Sequence, residues 1–242
     1  MRYLYILLLL LIVSCKPKFT AQEIIDKSIE SSKLSYVGNT KISFNFRENY
    51  YKATRNNGAF ELVRIIKNDS IKIKDILSND SFKRFVNDSL VKLTEKDKNR
   101  YSNSVNSVHY FSVLPFGLND KAVQKKLLEP VTIKGKEYYK VRVTFTEEGG
   151  GEDFEDVFIY WFAKDDFQLD YLAYKYHTNG GGVRFRDAKE EKIVKGIRFV
   201  DYNNYKPLDK EIDFYTIDKL YEEGKLKKIS EIVLEDIQVD TF

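Results

Sequence analysis

The sequence predicts an α+β fold that is mainly antiparallel β, with a curved sheet of about ten strands and a few helices laid on it. Three observations lead there. The stretch from Asp156 to Tyr176 reads as two strands joined by a polar turn at Lys164, Asp165 and Asp166. Its first strand is apolar on both parities, Val157, Ile159 and Trp161 on one and Phe158, Tyr160 and Phe162 on the other, so both faces need cover. Strand signals are spread evenly over the 242 residues, and aromatic residues make up 14% of them, which suits wide, half-buried strands. Helical patterns occur only at the start, midway and near the end, where they are placed to cover a sheet face.

The chain opens on a short positive region at Arg2 and an apolar run from Leu4 to Val13 of about ten residues. A spanning helix needs roughly 20, so residues 1–14 read as a signal segment. Ile12-Val13-Ser14-Cys15 is a small-residue cleavage site ending in the one cysteine of the chain, and it resembles a bacterial lipobox. That resemblance implies cleavage before Cys15 and attachment of diacylglyceryl and amide-linked chains, of the palmitate kind, to it. Each buried methylene contributes about 0.8 kcal/mol, so several chains anchor firmly. The expected protein sits on a membrane through this N-terminal lipid. Lys16, by analogy with bacterial sorting rules, fits the outer membrane, with a periplasm-facing domain. An ordinary secretory signal followed by a free cysteine is the alternative. Residues 15–19 then form a lipidated tether and 20–242 one domain.

Thr20 and Glu23 make the T-x-x-E pattern of a capping box for a helix from Ala21 to Ser32, whose narrow stripe of Ile24, Ile25 and Ile29 faces the domain. From Thr40 the period becomes two, with Ile42, Phe44 and Phe46 on one face. Asn56-Asn57-Gly58 is a hairpin signal between Tyr50 to Arg55 and Ala59 to Ile66, because Asn and Gly tolerate the positive φ of a primed turn. Ile71 to Leu77 and Leu90 to Leu93 add shorter strands. Thr94 with Asp97 caps a second helix, which runs through His109 towards Pro115. Asn119 or Asp120 caps another, in which Ala122, Val123, Leu127 and Leu128 share a face. The Pro115-Phe116-Gly117 corner between these two helices is placed to form an apolar lip. Strands resume at Lys136, and the loops at Gly149 to Gly151, Gly180 to Gly182 and Gly196 set a meander of hairpins. A short helical piece ends at Gly224, and one last strand runs near Ser230 to Val239.

In this order the chain resembles the LolA/LolB-like superfamily of bacterial envelope proteins. Ala21-Gln-Glu-Ile-Ile-Asp-Lys-Ser-Ile-Glu30 carries the likeness, as does the stretch from Arg186-Asp187-Ala188 to Ile193-Val194-Lys195-Gly196-Ile197-Arg198-Phe199. Asn106 to Phe111 and Gly181 to Arg186 also resemble segments of a group of uncharacterised lipoproteins. The superfamily resemblance implies an incomplete barrel wrapped around helices, with an apolar hollow that takes acyl chains or other lipids. The anchor makes the chain more like the anchored acceptor of that superfamily than its diffusing carrier.

Composition excludes several other functions. Forty basic and 37 acidic side chains give a net charge of +3 without blocks of one sign, which leaves no footprint for nucleic acid. A single cysteine forms neither an internal disulfide nor a thiolate cluster. His109 and His177 are the only histidines, and neither sits in H-x-H or H-E-x-x-H spacing, so no metal or other cofactor is expected. No G-x-S-x-G elbow marks a hydrolase, and strands follow both glycine runs where a phosphate cradle needs a helix. Candidate ligand contacts are the stripe Tyr160, Phe162, Tyr174 and Tyr176, together with His109, Phe116 and the same-face pair Arg184 and Arg186. The stripe is either core packing or the lining of a hollow. The arginines either form cross-strand ion pairs or hold an anionic head group. The chain reads as a noncatalytic, monomeric lipoprotein binding a hydrophobic ligand. The alternative is an anchored module that docks a protein, and an enzyme using the acidic loops and a histidine comes third.

Overall fold

A computed structural model describes residues 19–68, 70–148, 154–177 and 180–242; the expected signal segment, Cys15 and the expected loop at Gly149 to Gly151 lie outside the described residues. Helix α1 (Ala21–Ser31) begins on the capping box: the Thr20 hydroxyl accepts from the Glu23 amide at 3.2 Å, and the Glu23 carboxylate accepts from the Thr20 amide at 2.7 Å. Its stripe of Ile24, Ile25 and Ile29 is buried.

The first sheet is built from β1 (Asn39–Phe46), β2 (Asn49–Asn56), β3 (Ala59–Asn68), β4 (Ile71–Ser78), β5 (Phe82–Val86) and β6 (Ser89–Leu90), with β15 (Glu235–Thr241) on its outer edge beside β1. Asn57 and Gly58, at φ +48° and +85°, make the predicted primed turn. Helix α2 (Glu95–Ser112) starts at the predicted cap, where the Thr94 hydroxyl accepts from the Asp97 amide at 3.1 Å. It is fastened to this sheet by charge. Asp75, fully buried, accepts from Arg64 at 2.7 and 3.1 Å and from Arg84 at 2.7 and 2.9 Å. Arg64 then donates to the Ser104 hydroxyl at 2.7 Å, and Arg84 lies 3.3 Å over the Tyr101 ring. Such a cluster is tolerated in a dry interior because every member is bonded.

The second sheet runs in the order β14 (Leu226–Ile232), β13 (Ile197–Pro207), β12 (Gly182–Val194), β11 (Leu169–Tyr176), β10 (Val157–Ala163), β9 (Lys136–Phe145), β7 (Val123–Leu127), with β8 (Val131–Ile133) also beside β9. All pairings in both sheets are antiparallel, and together the sheets form an open half-barrel around α1 and α2. β10 is covered on both faces, as its sequence requires. Phe158, Tyr160 and Phe162 enter the main core with α1, whereas Ile159, Trp161 and Ala163 pack under Phe214 and Ile217 of a 3-10 turn and the short helix α3 (Ile217–Glu222). A buried ion pair holds that outer cover: Lys140 meets Asp218 at 2.7 Å and the Tyr215 carbonyl at 2.7 Å, and Trp161 Nε1 donates to Asp218 at 3.3 Å.

Three expectations are corrected. Residues 123–127, expected in a helix, form strand β7, because Val123 and Leu127 share a sheet parity as well as a helix face and β9 offers an open edge to pair with. Phe82–Val86 is a strand that the short, mixed segment did not announce, and of the expected strand at 90–93 only Leu90 pairs, with Ser89 before it. The single C-terminal strand is two, β14 in the second sheet and β15 in the first, separated by buried Leu234. These splits raise the strand number among the described residues to fifteen.

Candidate functional site

Sheet register places one set of side chains on the inner face of the second sheet. Phe158 pairs with Tyr174, and Tyr174 with Arg184; on the next rung Tyr160 pairs with Leu172, Leu172 with Arg186, and Arg186 with Asn204. Alternation sends their neighbour Phe185 to the opposite face. Helix α2 lies across this face and leaves a cavity of about 920 Å³ between itself, β10 to β14 and the β1–β2 turn.

The helix presents Lys96, Arg100, Asn103, Ser107 and Phe111 to the cavity, a stripe at spacings of three and four residues with the cations towards its N-terminal end. The sheet supplies Phe158, Tyr174, Tyr176, Arg184, Arg186, Val200 and Tyr202, and the chain around β14 adds Ile232 and Leu234. Phe111 anchors the apolar part, 5.5 Å from the Tyr174 ring and 6.4 Å from Phe158.

Arg186 is 7% exposed, with its guanidinium 4.2 Å over the Phe111 ring and 5.3 Å from Tyr174. Nη2 donates to the Tyr174 hydroxyl at 3.0 Å, and the buried Nε has no partner. Arg184 donates to the Val183 carbonyl at 2.9 Å and lies 5.3 Å from the Tyr176 ring. Neither forms an ion pair with a carboxylate among the described residues. Tyr176 faces Gly182 across the strands, where a Cβ would come 2.8 Å from the tyrosine hydroxyl; glycine lets the ring lie over the neighbouring strand. Burial pushes the Tyr202 hydroxyl up to about 12, so it remains a neutral polar group in the wall.

Of the residues singled out from sequence, Tyr174, Tyr176, Arg184 and Arg186 line this cavity. Tyr160 and Phe162 share the inner face but are fully buried farther along β10, and the Tyr160 hydroxyl stands 3.4 Å from that of Tyr110. His109 is on the side of α2 turned to the first sheet, where it bonds the Val63 carbonyl at 3.2 Å and packs edge-on against Phe44 and Tyr51. Burial, with the nearby Arg55 charge, takes its pKa down to about 3. Phe116 packs against the core beside Gly38, within 6.0 Å of Arg55, and not at the mouth of the cavity. Sequence reasoning missed Phe111, Val200, Tyr202 and Ile232. The helical spacing from Ser107 to Phe111 is the signal that could have found Phe111, whereas the pair Tyr202–Ile232 exists only once β13 and β14 are in register.

His177 lies apart, at the end of β11, where its amide and Nδ1 approach the Asp156 carboxylate at 3.1 and 3.4 Å. Among the described residues no three His, Cys, Asp or Glu side chains are grouped to hold a metal ion, and no helix is long and apolar enough to cross a membrane.

Two solved structures share this architecture over nearly their whole length. A LolA superfamily protein from Nitrosomonas europaea aligns with a TM-score of 0.51 at 10% identity, covering 93% of this chain and 96% of the other. A DUF1329 family protein from Desulfovibrio piger aligns with a TM-score of 0.53 at 12% identity, covering 92% and 94%. The fold is therefore LolA-like, as the sequence resemblance implied. No curated protein matches the sequence. Residues 2–234 match the model of the "Family of unknown function (DUF6503)", and the chain belongs to that family.

Proposed function

We propose that this protein is a noncatalytic lipoprotein of the bacterial envelope, anchored to the outer membrane through Cys15, which holds a lipid or another hydrophobic molecule in the hollow of its half-barrel. The observation that carries the reading is the cavity itself. Elsewhere the concave side is filled by α1 and core side chains, yet between α2 and the second sheet about 920 Å³ is left beside Phe111, Phe158, Tyr174, Val200 and Ile232. That volume lies within the roughly 300–1,000 Å³ of ordinary ligand pockets. Apolar walls favour a chain-like ligand because each Å² of apolar surface removed from water contributes about 25 cal/mol. The LolA-like fold agrees with this reading without specifying the ligand.

Native mass spectrometry of the gently purified protein tests it. Wild type should carry co-purifying lipid, and Ser107→Trp, which places an indole in the cavity, should not. An empty wild-type protein that also fails to take up added lipid would remove the reading and leave a docking module. Cys15→Ser should release the protein from membranes; membrane retention of that variant would count against lipidation.

A further inference from the structure

Among the described residues, four arginines are buried: Arg64, Arg84, Arg186 and Arg198. Three of them have a carboxylate. Arg64 and Arg84 share Asp75, and Arg198 holds Glu191, with Asp170 at 3.7 Å. Arg186, the one that lines the cavity, has none among the described residues. A guanidinium carries five N–H donors, and among the described residues the one acceptor it reaches is the Tyr174 hydroxyl, from Nη2. Of these four, only the arginine at the cavity departs from the rule that a buried cation is paired; half-buried Arg55 and Arg142 also keep a nitrogen without an acceptor, but neither lines the cavity. Tyr174 accepts that bond through its oxygen and keeps its own proton to donate. Among the described residues the surrounding wall has the same sign: five cationic side chains, Arg47, Lys96, Arg100, Arg184 and Arg186, and one carboxylate, Asp156, line it.

We propose that the ligand is an anionic amphiphile, an alkyl chain ending in a carboxylate or phosphate, with its head on Arg186 and the Tyr174 hydroxyl, its chain along Phe111, Val200 and Ile232, and Arg184 at the outer side. This rests on the reading of the cavity as a lipid site and names the class of lipid. An oxyanion supplies what the neighbourhood of Arg186 lacks, acceptors for a planar donor fork and a charge to offset its own. A neutral lipid would bury the same chain and leave the guanidinium as it is.

The full-length protein, held in zwitterionic nanodiscs, is titrated with hexadecanoic acid, hexadecyl phosphate and methyl hexadecanoate. The acid or the phosphate should bind at least about tenfold more tightly than the ester, the gain of a charge-assisted bond. Whichever of the two binds better identifies the head. Arg186→Met should reduce that preference to within about twofold while ester binding persists, and Arg186→Lys should restore part of it. Equal binding of acid, phosphate and ester by wild type would overturn the head-group assignment and leave the lipid site standing. Absence of binding by all three would overturn both. Should Arg186→Met fail to fold, the wild-type comparison still decides, because only the two anions bring the charged acceptor that Arg186 lacks, and the ester does not.

Discussion

Arg186 on β12 lies with its guanidinium carbon 4.2 Å from the centre of the Phe111 ring on α2, so a cation of the sheet and an aromatic of the helix meet at the cavity wall. The contact ties the helix to the second sheet at one point while the space beside it remains open. Phe111→Ala removes the ring from Arg186, Tyr174 and Phe158 together. A half-buried aromatic that also faces a cation should cost about 1–3 kcal/mol, read from urea unfolding. The variant should also lose retained lipid in native mass spectrometry.

On the other side of α2 the attachment is ionic. Asp75→Ala leaves Arg64 and Arg84 buried without their shared carboxylate, and should destabilise by about 3–5 kcal/mol. Chemical denaturation measures it, with Lys72→Ala, which breaks the solvent-exposed pair with Asp88, as a control costing less than about 1 kcal/mol.

The outer face offers a local reporter, because Trp161 is the only tryptophan and its indole donates to Asp218. Asp218→Ala strands Lys140, loosens α3 and exposes the indole. The emission should shift to the red, with a loss of about 3–5 kcal/mol in unfolding; an unshifted spectrum would show that the cover does not depend on this pair.

His109 makes stability pH-dependent. Its folded pKa, brought down to about 3 by burial and the charge of Arg55, lies below the unfolded value near 6.5. As pH falls below 6.5 the unfolded chain takes up this proton and the folded chain does not, so stability is lost progressively down to the folded value. The slope approaches 1.4 kcal/mol per pH unit, or about 2 kcal/mol between pH 7 and 5 from this group. His109→Phe, which keeps a ring between Phe44 and Tyr51, should remove that contribution when unfolding is compared at the two pH values.

What the sequence determined by itself is local or periodic. Caps at Thr20 and Thr94 and the Asn57-Gly58 turn depend on bonds and dihedrals within a few residues, so they are legible without a fold. The double-sided burial of β10 follows from apolar residues on both parities, and alternation puts Arg184 and Arg186 on one face. Tertiary structure decided the rest. Periodicity assigns a face but not a depth, and only the path of α2 separates packed Tyr160 from cavity-lining Tyr174. Val123–Leu127 is a strand because β9 had an edge to pair, and the C-terminal strand divides because β13 and β1 each had one to fill. Ionic partners far apart in the chain, such as Lys140 and Asp218, leave no mark in either segment. Nor does the lack of one at Arg186, since a missing partner exists only once the surrounding side chains are in place.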